Sequence, residues 1–82
     1  MDTGKDIWIL ETRTHDGELV DREYLRTRGK AVERAMEHIG SEMPRSRRGR
    51  SQCLEECRKG LEKHGHASDY HEYSIEHEEF TE

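Results

Sequence analysis

Apolar residues occur in short patterned runs separated by charged stretches. Ile7-Trp8-Ile9-Leu10 is β-branched and aromatic, and with the following Glu11–Thr14 it predicts a first strand over residues 7–14. Asp16-Gly17 supplies the positive-φ position of a tight turn. Leu19, Val20, Tyr24 and Leu25 then spread along a second strand at residues 18–27, so this half reads as a β-hairpin. Thr27 fits the N-cap of a helix over residues 28–39, where Val32, Ala35, Met36 and Ile39 recur three and four apart. Gly40 fits the left-handed position that ends many helices.

A polar connection over residues 41–51 holds the only proline, Pro44. A second helix is expected over residues 51–64, with Cys53, Leu54, Cys57 and Leu61 as its apolar stripe and Gly65 as its stop. Gly60 inside it costs about 1 kcal/mol relative to alanine, so this helix relies on tertiary packing. Residues 69–80 alternate. Tyr73 and Ile75 share one face with His71 and His77, while Tyr70, Glu72, Ser74, Glu76, Glu78 and Phe80 share the other, which predicts a third strand.

The expected architecture is α+β in the order β-β-α-α-β, one small domain over residues 1–82. A mainly antiparallel three-stranded sheet is covered on one face by two helices, and residues 1–6 form a flexible N-terminus. The sequence does not fix which neighbour the third strand takes.

Composition changes this picture in one respect: the core must be thin. Of 82 residues 40% are charged and 29% hydrophobic, and Leu, Ile, Val and Phe together number 12. A domain this small buries a low fraction of its surface, which argues against a large enclosed substrate pocket. No apolar run approaches the ~18 residues of a membrane span. The start, Met1-Asp2-Thr3-Gly4-Lys5-Asp6, has no hydrophobic stretch behind a basic start, so no secretory leader is expected. A bridge between Cys53 and Cys57 would close a tiny loop and remove little unfolded-state entropy. Reduced thiols in a cytoplasmic protein are the expectation.

Charge is segregated beneath a net −5. Residues 1–21 carry 2 basic and 6 acidic side chains, residues 22–50 carry 9 and 4, and residues 51–82 carry 3 and 9. Arg45, Arg47, Arg48 and Arg50 fall within six residues. Guanidinium forks pair bidentately with phosphates, and they equally suit an acidic protein surface. Without flanking aromatics for base stacking, and without a recognisable nucleic-acid-binding pattern, a direct nucleic-acid interface is the weaker alternative.

The tail carries the opposite sign. From Asp69 onward there are six carboxylates and no lysine or arginine. On a strand Glu72, Glu76 and Glu78 project from one face, with alternate side chains roughly 6.5 Å apart. Such a row imitates the fixed negative charge of a nucleic-acid backbone and can be steered into a basic groove; it also serves simply to keep an edge strand from aggregating. Tyr70 and Phe80 on that face favour an interface. The expected contact residues are Glu72, Glu76, Glu78, Glu79 and Tyr70, with Arg45, Arg47, Arg48 and Arg50 as a secondary contact. A second copy covering apolar strand faces is a further possibility.

Metal and catalytic chemistry find less support. Cys53-x3-Cys57-x6-His64-x-His66-x4-His71 invites a zinc reading, since thiolate and imidazole are zinc's preferred ligands. Its second half departs from the common spacing, and both thiols lie on an apolar stripe, where cysteine acts as a small hydrophobe. A zinc-stabilised interaction module is therefore only an alternative. Glu55 and Glu56 flank Cys57 and Cys53 and would raise a thiol's pKa, which opposes nucleophilic use. No Gly-rich phosphate loop is present, and Asp16-Gly17 lacks the alternating ligands of a calcium loop. No enzyme activity and no cofactor are expected.

The run Ile7–Thr14, the Asp16-Gly17 turn, and Glu18-Leu19-Val20 through Tyr24-Leu25-Arg26-Thr27 leading into a helix resemble the start of many compact proteins of bacteriophages and mobile elements. Some of these are anti-CRISPR or other anti-defence inhibitors. The resemblance spans residues 7–40 and lies in architecture, length and charge. It implies a non-enzymatic inhibitor or adaptor whose acidic surface occupies the basic nucleic-acid-binding groove of a protein complex. It carries over no site residue.

Overall fold

The structure, a computed structural model, describes residues 4–81, and the side chains of residues 6–79. Strand β1 (Gly4–Arg13) leads through a turn into β2 (Leu19–Leu25). Helices α1 (Arg28–Glu42) and α2 (Arg50–His64) follow, and the chain closes with β3 (His66–Ser68) and β4 (Glu72–Thr81). The four strands form one antiparallel sheet in the order β2-β1-β4-β3. The α+β class and the two helices match the expectation; the sheet has four strands rather than three, and the order is β-β-α-α-β-β.

The additional strand is β3. It pairs His66↔Ser74, Ala67↔Tyr73 and Ser68↔Glu72, so residues 69–71, expected to begin the last strand, form its connection to β4 instead. β4 takes β1 as its long neighbour, from Gly4↔Thr81 to Arg13↔Glu72. Gly4–Asp6, expected in a flexible N-terminus, belong to β1; residues 1–3 lie outside the described residues.

Alternation sorts the side chains between two unlike faces. Leu10, Tyr73 and Ile75 point to the helices and pack with Val32, Ala35, Ile39 and Met43 from α1 and its end, and with Cys57 and Leu61 from α2. Ile7, Ile9, Glu11 and Arg13 of β1 have the opposite parity, as do Arg22 and Tyr24 of β2 and Glu72, Ser74, Glu76 and Glu78 of β4. No helix covers that face.

Local chemistry sets the helix limits. Thr27 Oγ1 accepts from Lys30 N at 3.1 Å, capping α1. The expected stop at Gly40 does not operate: α1 continues to Glu42, and Met43 turns extended (φ −86°, ψ 122°) because it precedes Pro44. Gly49 (φ 69°) and Gly65 (φ 78°) flank α2 in the left-handed region. Arg28 donates to the Leu61 carbonyl at 3.0 Å and to that of Glu62, tying α1 to the C-terminal carbonyls of α2. Among the described residues no helix is long and apolar enough to cross a membrane.

Candidate partner-binding surface

The helix-free face of the sheet is divided by Glu11. Its carboxylate is 11% exposed and lies between two guanidinium groups. Arg22 contacts one oxygen at 2.6 Å, and Arg13 donates to the other at 3.1 and 3.2 Å. Burial alone would raise this pKa; the hydrogen bonds from Arg22 and Arg13 outweigh it and hold Glu11 below the ordinary carboxylate value. This end of the face is therefore locked, its one carboxylate held between two guanidinium groups.

The other end differs. Glu76 and Glu78 lie opposite Ile9 and Ile7 in the β1 ladder, and Tyr24 pairs with Ile9 from the far side. Tyr24 is 61% exposed, and Glu76 and Glu78 are exposed. Among the described side chains neither glutamate has a hydrogen bond or ion pair. β2 ends at Leu25 opposite Trp8, so β1 and β4 continue past it as a two-stranded arm, with a recess among Asp6, Ile7, Tyr24, Leu25 and Arg26 at its base. The result is a small acidic and apolar surface.

The residues expected to join it are dispersed. Glu72 has the right parity but is engaged: His15 Nδ1 lies 2.8 Å from Oε2, and Ser68 Oγ donates to the same oxygen at 2.9 Å. These two partners hold Glu72 below the ordinary carboxylate value. Glu79, opposite Asp6, has the parity of the helix side. Tyr70 is half-exposed but sits in the β3–β4 connection, not on the strand face. The Phe80 side chain lies outside the described residues.

The arginine cluster is divided as well. Arg47 donates from one nitrogen to both Asp69 oxygens, at 2.7 and 3.0 Å, fastening the interhelical connection to the β3–β4 turn. Arg50 opens α2 and donates to the Gly40 carbonyl at 3.0 Å. Arg45 and Arg48 are exposed and have no partner among the described residues. Two of the four arginines thus serve the fold.

The zinc alternative finds no assembled site. Cys57 is buried and Cys53 partly so, both as free thiols against the core. Burial pushes the Cys57 thiol up, the opposite of what a nucleophile needs. His64 and His66 are exposed with ring centroids 6.1 Å apart. Among the described residues, the set whose potential ligand atoms all lie within 4.8 Å of one another is Asp21, Glu23 and His38, which sequence reasoning missed. Asp21 and Glu23 are two apart on β2 and His38 comes from α1; only the β2 spacing was readable in the sequence. Both Glu23 oxygens are already used, one by Arg34 at 2.7 Å and one by His38 at 2.6 Å. Glu23 and His38 are thus already engaged, while Asp21 is exposed and has no ion pair among the described residues.

No family model matches the chain, and neither a curated protein nor a solved structure matches it.

Proposed function

We propose that this chain is a small non-enzymatic binding protein, an inhibitor or adaptor, whose helix-free sheet face engages a basic groove on a protein complex. One observation carries the reading: Glu76 and Glu78 stand side by side on a regular strand, beside half-buried Ile7 and exposed Tyr24, with no ion pair among the described side chains. Fixed carboxylates about 6.5 Å apart approximate the charge spacing of a nucleic-acid strand. Neighbouring apolar and aromatic groups give the buried contact that an interface core needs. The resemblance to anti-defence inhibitors of phages and mobile elements points the same way.

This reading narrows the contact set to Glu76 and Glu78, with Tyr24 in the role expected of Tyr70. Glu72 and Arg47 are internal fasteners. The alternative, nucleic-acid binding through the arginine loop, keeps only Arg45 and Arg48 as available cations and is correspondingly weaker.

The test is capture from a bacterial lysate by the intact chain and by its Glu76→Lys/Glu78→Lys variant, with circular dichroism to verify that both are folded. Proteins retained by the parent, lost by the variant and released by added duplex DNA are the expected result. Equal capture by both, or retention that DNA does not compete, defeats the reading.

A further inference from the structure

Among the described residues nothing pairs with the edge of β4 beyond β3. β3 pairs only with Glu72–Ser74. At Ile75 the N–H donates to the Gly65 carbonyl at 2.7 Å, on the side away from β1. Backbone groups alternate in direction along an antiparallel strand. His77 and Glu79 therefore turn their N–H and C=O toward that same open side, while Glu76 and Glu78 turn theirs into the β1 ladder. All four side chains are exposed. An unpaired edge of this kind is a template for another strand.

The side chains select what can add to it. Glu76 and Glu78 flank the edge on the helix-free face, and Glu79 flanks it on the other with Asp6 opposite. His77 is stacked on Trp8 with centroids 4.3 Å apart, and its Nε2 lies 2.9 Å from Asp6 Oδ1. A second copy of this chain pairing antiparallel here would set carboxylate opposite carboxylate, which is destabilising. A basic strand meets opposite charge on both faces.

We propose that the β4 edge at His77–Glu79 accepts an extended basic segment of a partner protein as an added strand. Backbone hydrogen bonds give the affinity, and lysines or arginines directed toward Glu76 and Glu78 give the selectivity. The proposal rests on the reading above and specifies how the partner is held: by its backbone in register, not by a groove closing over loose charge.

The probe is a short synthetic peptide alternating lysine and valine, titrated into the intact isotopically labelled chain. Amide exchange is read by NMR with and without peptide. Strand addition predicts at least about tenfold slower exchange at the His77 and Glu79 amides, with Glu76 and Glu78 nearly unchanged because they already pair with β1. It also predicts that Glu76→Lys/Glu78→Lys weakens binding by at least about tenfold while a glutamate–valine peptide fails to bind the parent. Peptide binding that depends on the two glutamates but leaves His77 and Glu79 unprotected overturns strand addition and leaves the acidic-surface reading standing. Protection that persists in the charge-reversed variant overturns the selectivity for basic segments. No binding of the lysine peptide overturns both.

Discussion

A methyl group at residue 60 would lie 2.8 Å from the His66 carbonyl oxygen, closer than real Cβ contacts allow. Gly60 is thus the residue that lets α2 lie against β3, and its cost in helix propensity, about 1 kcal/mol, is offset by that approach. Gly60→Ala is expected to lower stability by about 1–3 kcal/mol despite alanine's better helix propensity, read as a fall in the urea midpoint. The sequence marked Gly60 as a weakness in a helix, since nothing in it announces a neighbouring strand. His15 makes a comparable long-range tie. The hydrogen bond with Glu72, and then that with the Asp69 carbonyl, raise its pKa above the ordinary 6.5. A raised histidine contributes stability that is present below the unfolded pKa and lost as pH rises through the folded one. The tie between the β1–β2 and β3–β4 turns should therefore be strongest below about 6.5 and weaken toward alkaline pH. NMR titration of the His15 ring should give a midpoint above that of a model peptide, and Glu72→Gln should return it toward 6.5; an unshifted midpoint in the parent contradicts the geometry.

Elements were readable in proportion to how far their signals were local. The hairpin follows from a β-branched run, an Asp-Gly pair and a second run, and Gly17 takes φ 95° in the turn between them. Both helices follow from stripes at three- and four-residue spacing, and Thr27 caps α1 as its side chain suggests. Thr27→Ala should therefore cost about 1 kcal/mol, measured as a lower denaturation midpoint with unchanged slope. The end of α1 differs from the expected stop because two stop signals compete there. Gly40 has helical backbone and lends its carbonyl to Arg50, so the termination passes to Pro44. β3 could not be read at all. His66-Ala67-Ser68 has no β-branched residue and no Tyr, Phe or Trp, and it is a strand only because Tyr73 and its neighbours offer it a ladder. The same non-local cause hid the fate of Arg47, whose partner Asp69 is 22 residues away.

On the scale of the whole molecule, segregated charge resolves into two classes. Many carboxylates are consumed in ties between elements: Glu11 with Arg22, Glu23 with Arg34 and His38, Glu33 with Arg58, Glu42 with the Tyr73 hydroxyl, Asp69 with Arg47. Glu76 and Glu78 remain outside that set among the described residues. The alternation of residues 72–78 was legible, so the sequence located the acidic face, but it could not say which carboxylates the fold would use. Salt separates the two classes. Raising ionic strength from about 0.1 M to about 1 M shortens the screening length from about 10 Å to about 3 Å. Exposed internal pairs contribute little each, and the core of Leu10, Ile39, Leu61 and Tyr73 does not depend on them, so the thermal midpoint should move by only a few degrees. Capture of a basic partner relies on charge that meets its complement across solvent, so its affinity should fall at least about tenfold over the same range. Parallel calorimetric and binding series in one salt gradient compare the two directly. Binding that persists at high salt would show that apolar contact at Ile7 and Tyr24 holds the partner, with the glutamates only excluding acidic competitors.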